Sequence, residues 1–160
     1  MDKPFQRKNS TSNAAVGKDF EKKAKNYFKQ IGMELQTPYN VSIGHYHRHD
    51  KAFDLGGTVG EIEYIVECKS HRWTESGKSP SAKLTVWNEA MYCFSLIPSR
   101  ENLKKILFVV KSTFTSKPSL AEYYCSRYRY MIPEDVEIWE YDQESKEVVI
   151  IHKIQNQKAA

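Results

Sequence analysis

The chain has 160 residues, 40% of them hydrophobic and 28% charged, with a net charge of +4; this suffices for one domain with its own core, without a disulfide or metal staple. No run approaches the ~18 apolar residues of a membrane span, and the polar, basic residues 1–13 offer no signal-peptide core. Cys68, Cys93 and Cys125 are odd in number and far apart, which argues against a disulfide framework or a cysteine-spaced metal site and leads us to expect a reducing, cytoplasmic setting.

Positive charge is concentrated at the start. Residues 1–51 hold ten Lys/Arg against five Asp/Glu, residues 52–100 five against six, and residues 101–160 nine against nine. A basic arm and first helix can attract phosphates. A solvated helix face with a tail explains the same charge, and on charge alone it is the simpler reading.

In chain order, residues 1–14 read as a disordered basic arm, 15–154 as one domain and 155–160 as a tail. Val16, Phe20, Ala24, Tyr27, Phe28 and Ile31 recur at helical spacing, so residues 15–31 are predicted helical, with Gly32 as the C-cap. Residues 35–47 read as extended. There His45, His47 and His49 alternate onto one face; neighbouring strand positions make poor tetrahedral ligands, so with His71 they read as surface or phosphate-contacting groups rather than a zinc site. Residues 52–55 are predicted as a short strand, Gly56, Gly57 and Gly60 as a turn, and residues 61–70 as a second strand. A polar loop follows, then Ser79 as N-cap and Pro80 as the first residue of a helix running to Leu96. The apolar run 106–110 reads as a buried central strand. Residues 119–128 are predicted helical, and 136–141 with 147–151 form a final hairpin. Tyr123, Tyr124, Tyr128 and Tyr130, interleaved with Arg127 and Arg129, read as a core edge or dimer interface more readily than as a base-stacking surface. The sum is an α/β fold, a mixed sheet flanked by helices.

The strand at 61–70 is the informative one. Alternation puts Ile62, Tyr64, Val66 and Cys68 on one face and Glu63, Ile65, Glu67 and Lys69 on the other, so Glu67 and Lys69 stand side by side, about 7 Å apart along the strand. The hairpin lets Asp54 approach Glu67. Two carboxylates, water and a phosphate oxygen make an all-oxygen site for Mg²⁺. A neighbouring lysine can orient water or stabilise charge on the phosphoryl oxygens.

Asp54, then Glu67-Cys68-Lys69 after a hairpin, together with Gly17-Lys18-Asp19-Phe20-Glu21 on the first helix, resembles the PD-(D/E)XK, or restriction-endonuclease-like, nuclease superfamily. The resemblance covers roughly residues 15–111. Phe53 stands where many members have proline, at a position that varies. The resemblance implies an α-β-β-β-α-β core and metal-dependent phosphodiester hydrolysis, with DNA the expected nucleic-acid partner, Mg²⁺ the cofactor and Mn²⁺ a substitute. It implies that Asp54 and Glu67 hold the metal, that the Cys68 backbone carbonyl completes the coordination, that Lys69 assists the water and that Glu21 touches the metal shell; it also implies a homodimer. Lys83, heading a stripe with Trp87, Ala90, Met91 and Phe94, and the loop residues Arg72, Trp73 and Lys78 are candidate supporting or substrate contacts. The alternative is a non-catalytic nucleic-acid-binding or partner-binding accessory protein of the same fold.

Overall fold

The computed structural model describes residues 13–154. The expected basic arm lies mostly outside them, as does the tail; Asn13 and Ala14 belong to the first helix instead. That helix, α1, spans Asn13–Gln30 and buries Phe20, Ala24 and Phe28. It ends as expected at Gly32, whose φ of +86° suits a residue without Cβ. The Gly32 N–H donates to the Lys29 carbonyl (3.0 Å) and the Met33 N–H to the Phe28 carbonyl (2.8 Å), the paired bonds of a Schellman cap.

The extended region after α1 is not one strand. Strands β1 (Tyr39–Ile43) and β2 (His49–Phe53) form an antiparallel pair outside the main sheet. His45 and His47 lie in the loop between them, so the three alternating histidines do not share a strand face.

The main sheet has five strands in the order β3 (Leu55–Val59), β4 (Ile62–Lys69), β5 (Leu103–Val110), β6 (Val136–Tyr141), β7 (Val148–His152). The two outer pairings are antiparallel and the two inner ones parallel. The parallel steps need crossovers. These contain α2 (Ser81–Ser95) and α3 (Leu120–Arg127). The expected turn of Gly56 and Gly57 is instead part of β3, and the reversal is made by Gly60-Glu61 alone. Gly60, at the first central position of this two-residue turn, has φ +63°, as the primed hairpin turns require. Gly56 is needed for space: a Cβ there would stand 2.2 Å from the Tyr39 ring.

Both sheet faces are covered. Val66, Ile106, Phe108, Val110, Trp139 and Tyr141 pack under α1 with Phe20 and Phe28. Ile65, Leu107, Val109 and Ile138 pack with Leu84, Trp87 and Phe94 of α2, Tyr124 of α3 and Phe53 of the hairpin. Covering by helices on both sides explains why β5 reads as a continuous apolar run. The sequence-predicted central strand and final hairpin are therefore present, and the fold is mixed α/β. The start of α2 differs slightly: the helix begins at Ser81, and Pro80 rather than Ser79 holds the cap position, without a side-chain cap bond. Among the described residues no helix is long and apolar enough to cross a membrane.

Candidate active site

Strand β4 is eight residues long and its neighbour β3 five. The register begins at Leu55 opposite Val66, so Glu67, Cys68 and Lys69 run past the end of β3. At that end the chain bends at Asp54, between β2 and β3. The bend brings Asp54 beside the overhanging strand. The Cys68 N–H donates to Asp54 Oδ2 at 2.8 Å, and the Asp54 N–H donates to Glu67 Oε1 at 3.2 Å. Each carboxylate thus fixes the other residue's stretch of backbone. The Glu63 N–H donates to Asn102 on the β5 side, so the even-numbered residues of β4 direct their peptide groups the other way. The N–H and C=O of one strand residue point to the same side, so the Cys68 carbonyl faces Asp54, as a metal-ligand role requires.

Glu67 is 5% exposed. Its Oε2 faces two ammonium groups, Lys69 Nζ at 3.5 Å and Lys51 Nζ at 3.9 Å. Burial, then the Asp54 charge, pushes the Glu67 carboxyl above the usual carboxylate range, while the two lysines pull it back. Burial also raises Glu21, followed by the Asp54 charge and a hydrogen bond with the Asp54 side chain. Glu21 comes from α1, on the opposite face of the sheet from α2. It can meet Asp54 because Asp54 stands at the sheet edge, accessible from both layers. Burial pushes the Cys68 thiol well above its ordinary pKa, with the Asp54, Glu67 and Glu21 charges adding to the effect. The Cys68 side chain packs with the core under α1, on the strand face opposite Glu67, while its carbonyl is turned toward Asp54.

Among the described residues, no three His, Cys, Asp or Glu side chains already stand around one point as a metal cage. The donors present are two adjacent carboxylates, one carbonyl and a third carboxylate close by. That set suits Mg²⁺, which binds through one or two carboxylates and keeps several waters.

The remaining predicted contacts divide. Lys83 is exposed, and Leu84 rather than Lys83 heads the buried stripe with Trp87, Ala90, Met91 and Phe94. Its charge nonetheless reaches the site's margin. His71 is held below its ordinary pKa by burial first and then by Lys69 and Lys83. The His71 Nδ1 accepts from Trp87 Nε1 at 3.1 Å.

Trp73 is not a base-stacking platform. It is 8% exposed, packs on Tyr123 at 5.1 Å between centroids and donates from Nε1 to the Pro118 carbonyl at 3.1 Å. Arg72 joins two loops, donating to Gln143 Oε1 at 2.8 Å and to the Lys111 carbonyl at 3.4 Å. It lines a cleft of about 570 Å³ formed by the loops after β4, β5 and β6, which does not include Asp54, Glu67 or Lys69. Arg72 and Lys111 there face Glu75, Asp142 and Glu144, so the cleft is not a phosphate channel by charge. Lys78 is exposed, and its backbone closes a small turn with Thr74 Oγ1 (2.9 and 3.0 Å). Tyr124 and Tyr128 stack within α3's packing, and the Tyr124 hydroxyl donates to Asn88 Oδ1 at 2.8 Å.

Sequence inspection missed Lys51. The signal was present: alternation on β2 sets Lys51 on the same face as Phe53, a core residue, three positions before Asp54. A lysine at an inward position of a half-buried strand is unusual unless it has a partner.

Comparison with known proteins adds little to this geometry. No protein-family profile matches the chain, and no curated protein matches it. Among solved structures, the chain resembles a crystal structure described as a protein of unknown function, AF1548, at 13% identity and a TM-score of 0.42, over 79% of this chain and 58% of that one.

Proposed function

We propose that the chain is a restriction-endonuclease-like, Mg²⁺-dependent nuclease that hydrolyses phosphodiester bonds, with DNA as its substrate. One observation carries this reading. Asp54 and Glu67, thirteen residues apart, are tied to each other by Asp54 N–H at the open end of β4, and Lys69 stands 3.5 Å from Glu67. Burying carboxylates and ammoniums together costs free energy that hydrophobic residues would not. A functional site gives a reason for it.

Asp54, Glu67 and the Cys68 carbonyl would hold the ion. When bound, Mg²⁺ polarises the phosphate and lowers the pKa of bound water. Lys69 is restrained by its strand position and its Glu67 contact, so its ammonium can orient the attacking water or stabilise charge on the phosphoryl oxygens without reorganising. Glu21, its proton affinity raised by burial and then by Asp54, would accept a proton or a hydrogen bond from that water.

The test uses the pure protein with plasmid, branched DNA and RNA, with Mg²⁺, Mn²⁺, Ca²⁺ or chelator. Asp54→Ala and Glu67→Ala are expected to lose metal binding and cleavage together. Lys69→Ala is expected to lose cleavage yet keep metal binding, by calorimetric titration. Ca²⁺ should support binding but little cleavage, because its larger, looser shell positions water poorly. Cleavage by Lys69→Ala at the wild-type rate, or undiminished cleavage in chelator, would overturn the assignment. Nucleic-acid binding without metal-dependent cleavage would identify a binding module instead.

A further inference from the structure

Lys51 is the charged group that the site does not yet explain. It enters from β2, on the hairpin outside the main sheet, and not from the strand that carries Glu67 and Lys69. Its ammonium stands 3.9 Å from Glu67 Oε2, beyond hydrogen-bond length, and shares that one oxygen with Lys69. Its other neighbour is the Phe53 ring, 5.0 Å below the ammonium. The side chain is 24% exposed, against 16% for Lys69 and 6% for Glu67. The stem is therefore packed, while the donors are aimed at the site without being committed to one acceptor.

Charge points the same way. Three carboxylates, Glu21, Asp54 and Glu67, face the ammoniums of Lys51 and Lys69, with Lys18 acting on Glu21 from α1. A divalent cation added to that set makes the site net positive, which favours a negatively charged phosphodiester. The cation also competes directly with the lysines for Glu67, and Lys51, the more distant and more exposed of the two, is the easier to release.

We propose, building on the nuclease reading above, that Lys51 is a substrate-binding residue of this site and grips a phosphate oxygen of the strand being cut, while Lys69 serves the chemistry. The two lysines then differ in what they do. Lys51 contributes binding that is present before the transition state. Lys69 contributes chiefly within it. Removing Lys51 also removes a cation that competes for Glu67, so metal affinity and nucleic-acid affinity should move in opposite directions. A lysine that merely buttressed Glu67 would move them together.

The experiment uses the full chain as wild type, Lys51→Met, Lys51→Gln, Lys51→Arg, Lys69→Met and, as a distant control, Lys29→Met. Lys29 lies in the last turn of α1 and is 70% exposed. Binding of a labelled DNA duplex is measured in Ca²⁺ across a salt series, metal binding by calorimetry without DNA, and kcat and KM with Mg²⁺. For both neutral Lys51 variants we expect DNA affinity to fall about tenfold, as for loss of one charge-assisted bond. The log–log salt slope should shrink by about one. Metal should bind more tightly, KM should rise, and kcat should change much less than in Lys69→Met. Lys51→Arg should restore affinity and slope. An unchanged affinity and slope in both neutral variants overturns the proposal. So does joint loss of metal and DNA binding with a lowered melting temperature that Lys51→Arg does not restore. A wild type that cuts while the Lys51 variants match it refutes this proposal alone; a wild type that neither binds nor cuts DNA refutes the nuclease reading and this proposal with it.

Discussion

Glu67 and Glu140 are both buried carboxylates, each 5% exposed, and their surroundings separate them. Glu67 has two lysines on one oxygen and a backbone N–H on the other. Glu140 Oε2 has no hydrogen-bond partner among the described residues. Burial raises the Glu140 carboxyl; a Ser119 hydrogen bond and Lys111 oppose that, and Glu122 and Asp142 reinforce it. A raised folded pKa means that the folded state keeps its proton longer than the unfolded one. As pH rises from the ordinary carboxylate value through the raised folded one, stability falls, and above that interval the full penalty is present. Glu140→Gln should therefore be more stable than wild type at pH 7–8, by about 2–4 °C in melting temperature for each kcal/mol relieved. The two curves should converge near pH 4. Thermal melts at several pH values check this, and a gap that does not depend on pH would show that ionisation of Glu140 is not the cause.

At the scale of elements, the joints of the sheet are held by polar contacts that the core alone would not provide. Lys105, in β5 and 1% exposed, donates to the Ile97 carbonyl just after α2 and to Asp135 just before β6, each at 2.5 Å. Ser99 donates to the same Asp135 oxygen at 2.6 Å. One ammonium thus ties the segments that lead into two adjacent parallel strands. Removing one partner of a buried pair is costlier than removing both, because it strands a charge. Asp135→Asn should destabilise, by less than the ~3–5 kcal/mol of a fully buried pair because Asp135 is 20% exposed, and Asp135→Asn with Lys105→Met should lose less than Asp135→Asn alone. Denaturant titration of both reads this directly. An Asp135→Asn protein as stable as wild type would mean that the Lys105 charge is satisfied by other means.

For the whole molecule, the active-site candidates gather at one edge of the sheet, with α1 on one face and α2 and the hairpin on the other. Edge placement lets Lys51 and Asp54 meet Glu67 while Glu21 meets Asp54 from α1. Residues 1–12, outside the described residues, carry Lys3, Arg7 and Lys8 against Asp2 and so could add phosphate contacts by charge. Deleting residues 1–12 should leave the melting temperature unchanged and reduce the salt slope of DNA binding by up to about two, by counterion release. A slope that stays the same would assign the arm no part in binding.

Local pattern determined much of this by itself. The apolar spacing of α1 and its Gly32 stop, the continuous run in β5 and the alternation of β4 were legible because each is set by neighbours within one element. The same alternation placed Glu67 and Lys69 side by side. What the sequence could not decide depends on contacts between elements. Gly56 and Gly57 read as a turn from composition, but both lie in a strand, where the approach of Tyr39 makes glycine necessary at position 56. Trp73 looked like an exposed loop aromatic and is buried by Tyr123, fifty residues away. Leu84 displaced Lys83 from the buried stripe by a rotation of one residue. Lys51 became a neighbour of Glu67 only when β2 left the main sheet to pair with β1, turning at Asp54. Periodicity fixes which face a residue takes on its own element; which charge that face meets is decided only when a second element packs against it.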